Sequence, residues 1–189
     1  MKSYLLPALM SLFVAGPAAA QTSSSRMSSR METTAAITQA VTDIFVGTDE
    51  RDWARVQRSF APQVRLDYTS MAGGQPATLT PADLVAQWRQ VLPGFAHTHH
   101  QLGNFEVRVL AGGHEATAFC YGTATHYLPQ PAGGNVWTVV GTYDFHLVRH
   151  GEQWQADQMR FNLKYQDGNL ALPQQAAERV KNGQAATAR

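Results

Sequence analysis

A single cysteine, Cys120, stands among the 189 residues, so no internal disulfide can form even in an oxidising compartment. Charge is sparse as well: Lys and Arg total 15 against 14 for Asp and Glu, and no stretch gathers the basic residues into the stripe that a phosphate backbone requires. Nucleic acid is therefore not expected as a partner. No segment recurs at a period of about 20–50 residues, which excludes solenoids and propellers. The N-terminal apolar run from Tyr4 to Val14 is too short to span a bilayer, so stable membrane insertion is not expected either.

What is present suits one globular domain with tails. Hydrophobic residues make up 44% of the chain, enough to bury a core. Met1-Lys2, the apolar run and Ala18-Ala19-Ala20 before Gln21 read as an export signal over residues 1–20, which predicts a periplasmic or secreted protein. A true start at Met27 or Met31 is the competing reading. Residues 21–31 are serine-rich, without apolar period, and predict a disordered linker. The folded domain is expected over 32–172, with a C-terminal helix and tail over 173–189 that is disordered from Asn182.

Ile37, Val41, Ile44 and Phe45 recur at helical spacing until Gly47, which predicts a first helix from Thr34. A short second helix is expected at Trp53, Val56 and Phe60, ending at Pro62. Val64 to Tyr68 alternates like a strand. Thr80-Pro81-Ala82-Asp83 combines an N-cap, a proline at the first helical position and an acid in the first turn, which predicts a third helix. After Gly94 the chain reads as strand, in the segments His99–Leu110, Ala116–Leu128, Val136–Arg149 and Trp154–Tyr165, parted by short Gly- or Pro-bearing connections. Helices first and an antiparallel meander afterwards predict an α+β fold whose helices cover one face of a curved sheet.

Four of the seven histidines, His97, His99, His100 and His126, invite a search for chemistry. Neighbours on a strand face opposite ways, so His99 and His100 do not form a metal pair, and no metal is expected. His99, not His100, shares parity with Phe105, Val107 and Val109, unless a bulge near Gly103 reverses it. Asp49 and Asp52 sit between two helices, where capping is the plain reading. His126 shares parity with Ala116, Ala118, Cys120, Gly122 and Ala124, so that face has almost no side-chain volume and must receive either a helix or a ligand. Cys120 is expected buried there, and Trp53 and Trp154 are expected to anchor the core.

Thr48-Asp49-Glu50-Arg51-Asp52-Trp53, Phe60-Ala61-Pro62, Arg65-Leu66-Asp67-Tyr68 and Thr98-His99-His100-Gln101-Leu102-Gly103 together resemble, in order and spacing, the motifs of scytalone dehydratase and its SnoaL-like relatives in the nuclear transport factor 2-like superfamily. The resemblance runs from about Thr34 to Asn169. It implies a cone-shaped α+β fold enclosing a pocket. It places a catalytic aspartate on Asp49, a catalytic histidine on His100, a second histidine on His126 and a substrate-holding tyrosine on Tyr68. The position of the family's other tyrosine is Thr48, and its substrate-binding asparagine falls near Thr142, so the substrate is expected to differ. By resemblance the chain is a cofactor-independent lyase or isomerase acting on a small cyclic hydroxyketone, in a dimer or trimer. The alternative is an exported module that binds a small molecule without turning it over.

Overall fold

The computed structural model describes residues 18–129 and 133–185, with side chains from residue 25 onward. Most of the expected export signal, residues 1–17, and the last four residues of the expected tail lie outside this range. Two compact units divide at Thr33 and Thr34.

Of the first unit, residues 18–33 are helical and begin α1 (Ala18–Glu50). This corrects the expected linker over 21–31. Its side chains from Ser25 to Glu32 are exposed, and local bonds support the helix: Ser28 Oγ donates to Glu32 Oε1 at 2.9 Å and Thr33 Oγ1 to the Ser29 carbonyl at 2.9 Å. Extending an existing helix costs far less than nucleating one, so a polar sequence can continue it.

The second unit is α+β. After α1 come α2 (Trp53–Arg58), β1 (Phe60–Asp67), α3 (Thr69–Ala72), β2 (Ala77–Leu79) and α4 (Pro81–Trp88). A 3₁₀ turn at Leu92–Gly94 leads into β3 (His97–Val109), β4 (Glu115–Tyr127), β5 (Val136–His150), β6 (Gln153–Gly168) and α5 (Leu172–Lys181). The six strands form one open sheet in the order β2-β1-β6-β5-β4-β3, with β1 parallel to β6 and every other pair antiparallel. The long hairpins follow the predicted segments closely. Asn182, Gly183 and Gln184 bond back onto α5, where a disordered tail is expected from sequence.

Ile37, Val41, Ile44 and Phe45 of α1, Leu84 and Val85 of α4, and Leu172 and Ala176 of α5 are buried against the inward residues of the sheet. Trp154 is buried among them, whereas Trp53 is half-buried at the edge of this core. Thr80 caps α4 as predicted, accepting from the Asp83 amide at 3.2 Å. Gly47 does not end α1. Its bare Cα admits Val56 and the Asp52 carbonyl, and the helix runs one further turn until Arg51, whose φ of +60° ends it. That turn carries Thr48 and Asp49.

The nearly featureless face of β4 joins the core cluster at Ala116, Ala118 and Cys120, lines the cavity at Ala124 and His126, and at Gly122 receives an aromatic ring. Gly122 lies opposite Gly141, and a Cβ at Gly122 would collide with the ring of Tyr143. Among the described residues no helix is long and apolar enough to cross a membrane.

Candidate active site

Between the helices and the inward sheet face lies a cavity of about 390 Å³. Its wall is mostly apolar, with the rings of Phe45, Trp88, Phe95, Trp137, Tyr143 and Phe161 set among aliphatic side chains. The polar groups that reach it are His100, His126, Tyr68, Tyr143, Thr48 and, from α4, Gln87. Lys and Arg are absent from the described lining. Such a surface favours a neutral ring system, since an anion would find no counter-charge.

His100 reaches the cavity because β3 changes parity. Its register with β4 shifts between Gly103 and Glu106, and Asn104 takes φ +54°. Before this bulge Thr98, His100 and Leu102 face inward; after it Phe105 and Val107 do. His99 is consequently exposed on the opposite face.

Asp49, on the last turn of α1, meets His100 twice. Its Oδ1 lies 2.7 Å from His100 Nδ1, and its Oδ2 accepts from the His100 amide at 2.7 Å. Both side chains are largely buried, 14% and 11% exposed. Burial raises the Asp49 pKa, but hydrogen bonds and charge from His100, with a bond from Thr98, outweigh it and hold the carboxyl below its ordinary value. An ionised carboxylate only accepts, so the imidazole carries its proton on Nδ1 and leaves the Nε2 lone pair for the cavity. The helix-capping role falls to Asp52, whose Oδ1 accepts from the Arg55 amide at 3.0 Å. Asp49 is thereby free for His100.

His126 is buried between the rings of Phe95 and Trp137, with centroids 4.8 Å and 4.5 Å away, and its ring lies 5.8 Å from that of His100. Burial, and then the neighbouring His100, push its pKa down to about 3. Its Nδ1 faces the Trp137 carbonyl at 3.4 Å, a long contact that sets the proton there. Neutral His126 thus offers an acceptor, Nε2, and no acid.

Burial raises the pKa of both Tyr68 and Tyr143, so both remain phenols. Thr48 lines the cavity, yet its hydroxyl donates to the Ile44 carbonyl at 2.7 Å, leaving only its lone pairs for a ligand. Thr142 is a correction. Alternation on β5 turns it to the outer face, 3.4 Å from Asn162 Nδ2, while its neighbour Tyr143 faces the cavity. Sequence reasoning passes over Tyr143, although its parity with Trp137, Val139 and Gly141 carries the signal. Among the described residues no group of three or more His, Cys, Asp or Glu is placed to hold a metal.

Helices packed on an open, curved sheet are the architecture of the nuclear transport factor 2-like superfamily. A family model described as a SnoaL-like domain matches residues 29–160, and the chain belongs to that family. Among solved structures, the Kfla4162 protein of Kribbella flavida is 23% identical with a TM-score of 0.68, over 80% of this chain and 99% of that one. A hexachlorocyclohexane dehydrochlorinase, LinA type 2, is 16% identical with a TM-score of 0.62, over 74% and 90%. A candidate scytalone dehydratase of Novosphingobium aromaticivorans is 14% identical with a TM-score of 0.63, over 75% and 91%. At these identities the likeness is one of fold. No curated protein matches the chain.

Proposed function

We propose that the protein is a cofactor-independent hydro-lyase, or an isomerase using the same first step, acting on a small, neutral cyclic hydroxyketone. The double contact between Asp49 and His100 at the wall of an apolar cavity carries this reading. His100 Nε2 removes a proton next to the substrate carbonyl, and the carbonyl oxygen takes up the developing enolate charge against the Tyr68 hydroxyl. The enolate electrons then return and expel the β-hydroxyl. That hydroxyl leaves as water with the proton His100 acquired, while His126 Nε2 accepts a hydrogen bond from it. Asp49 fixes the tautomer and stabilises the transient imidazolium.

Two of the solved structures bear names for eliminations, one of hydrogen chloride and one of water. Both reactions begin with proton removal and differ in the leaving group. A departing halide is an anion that needs no proton and is helped by a nearby cation. The described lining holds none, and it does hold an imidazole able to return a proton, which favours loss of hydroxide as water. Without a substrate that places its carbonyl near Tyr68, the same pocket would serve as a binding module.

The reading extends to export through residues 1–20 and to assembly as a dimer or trimer. N-terminal sequencing of protein from the native host tests the first, and sedimentation tests the second. For the chemistry, the full chain is incubated with a panel of cyclic β-hydroxyketones while enone absorbance is followed. Turnover abolished by His100→Ala is expected. Ligand binding without turnover across the panel would replace this reading with the binding module.

A further inference from the structure

Strand β1 stops pairing with β6 at Asp67, opposite Arg160, although β6 runs on to Gly168. The next residue to face this parallel ladder, opposite Asn162, would donate its amide to the Phe161 carbonyl and accept the Leu163 amide at its own carbonyl. A side chain does both instead. Ser70 Oγ donates to the Phe161 carbonyl at 2.6 Å and accepts from the Leu163 amide at 2.9 Å. One hydroxyl thus satisfies the edge of β6 while the chain itself leaves the sheet.

The segment that leaves is α3, four residues long, with Tyr68 at its N-cap. A single helical turn is not stable alone, because fixing its dihedral angles costs more than its few bonds return. Its start is set by Asp67, whose Oδ1 accepts from the Thr69 amide at 3.1 Å and from Thr69 Oγ1 at 2.7 Å. Those bonds are local and do not fix how the turn lies on the sheet. Among the described residues, the two bonds of Ser70 are the hydrogen bonds that join α3 to β6.

Tyr68 and Met71, on either side of Ser70, both line the cavity. The ring of Tyr68 is tilted over that of Phe161, with centroids 5.7 Å apart, and Phe161 is the residue whose carbonyl takes the Ser70 proton. We propose that Ser70 is a positioning residue for Tyr68: standing in for a strand residue at the edge of β6, its hydroxyl fixes α3 and so holds the phenol over Phe161 in the cavity wall. The catalytic meaning of this placement rests on the reading of Tyr68 as the group that meets the substrate carbonyl; the placement itself does not. A donor moved by about 1 Å from a developing oxyanion loses much of its hydrogen bond, so a residue that never touches substrate still governs the rate.

The test follows the Tyr68 ring by NMR in the full chain carrying ring-labelled tyrosine and phenylalanine, with Tyr68→Phe identifying its signals. Ser70→Ala is expected to abolish the nuclear Overhauser contact between the Tyr68 and Phe161 rings and to displace the Tyr68 signals, leaving those of exposed Tyr121 and Tyr127 in place. Ser70→Thr, which keeps the hydroxyl, is expected to retain the wild-type spectrum. Should Ser70→Ala not fold, Ser70→Cys, whose thiol is a weak partner at both contacts, is expected to displace the same signals. An unmoved Tyr68 ring in the folded alanine or cysteine variant, or an equal displacement in Ser70→Thr, would overturn the proposal. On a hydroxyketone that is turned over, Ser70→Ala is expected to lower kcat more than it changes KM, and to cost nothing further in a Tyr68→Phe background. A further loss in that background would show Ser70 acting other than through Tyr68 and overturn the proposal equally. Wild-type turnover in Tyr68→Phe would remove Tyr68 from the reaction, and the ring measurement would still decide whether Ser70 places it.

Discussion

Asp49 holds His100 at two points, ring and backbone, each at 2.7 Å, so the helix end and the strand are locked together by the same carboxylate that sets the imidazole tautomer. Asp49→Asn keeps the shape but offers Nδ2 hydrogens where acceptors are needed. One of its contacts is lost, and the ring is freed to flip. The expected outcome is a folded protein with turnover reduced about 100-fold or more, and His100→Ala should be at least as damaging. Comparing kcat of the two variants on one substrate checks this, and wild-type turnover in His100→Ala would remove His100 from the mechanism.

Buried His126 makes stability depend on pH. Its folded pKa, about 3, lies below the ordinary value of 6.5, so between those values the unfolded chain binds more protons than the folded one. The sign follows: this contribution is complete above about pH 6.5 and is lost progressively as pH falls toward 3. Asp49, held below its ordinary value, contributes stability that is lost only below about pH 4, so above that pH the decline belongs to His126 rather than to Asp49. Chemical denaturation between pH 7 and 4.5 should show a decline in the wild type that His126→Phe flattens. A parallel decline in both proteins would contradict it.

Gly122 leaves room for the Tyr143 ring, which a Cβ would strike. Gly122→Ala should therefore push that ring toward the cavity, cost about 1–3 kcal/mol of stability and weaken ligand binding together. Thermal melting and a binding titration on the same variant check both halves.

Cys120 is fully buried, and burial, with Asp144 second, pushes its thiol pKa up to about 12. Thiolate is the reactive form, so labelling by a disulfide reagent at pH 8 should be slow in the native protein and rapid in denaturant. Fast native labelling would place the thiol outside the core.

Much of this fold is legible in the sequence because its hairpins carry their own punctuation. Ala111-Gly112-Gly113 and His150-Gly151 mark the turns, and the capping set from Thr80 to Asp83 marks a helix start. What escapes is anything set by a local irregularity. Parity alone assigns His99 to the interior, and only the bulge around Asn104 delivers His100 instead. Gly47 has the look of a terminator, yet packing against Val56 carries the helix on to Arg51 and brings Asp49 within reach of β3. Thr142 and Tyr143 are adjacent, and a one-residue difference on a strand exchanges the outer face for the pocket.

That exchange matters most for the carbonyl-binding group. Tyr143 packs edge-on against Phe45, with centroids 4.8 Å apart, and lies 4.8 Å from the ring of Phe161, so its position is fixed by ring contacts rather than by its hydroxyl. Tyr68 is tilted over Phe161 at 5.7 Å. Both phenols line the cavity, and a Tyr143 hydroxyl donating to Tyr68 would make the Tyr68 proton the stronger donor to an incoming oxygen. Phenylalanine at either position keeps the packing. Tyr68→Phe removes the group proposed to face the developing oxyanion and should lower kcat by about 10–100-fold with little change in stability. Tyr143→Phe removes only its support and should cost about tenfold or less. Equal losses in kcat for both variants and for the double variant would show the pair acting as one unit. A larger loss in Tyr143→Phe than in Tyr68→Phe would reverse the assignment and make Tyr143 the donor to substrate.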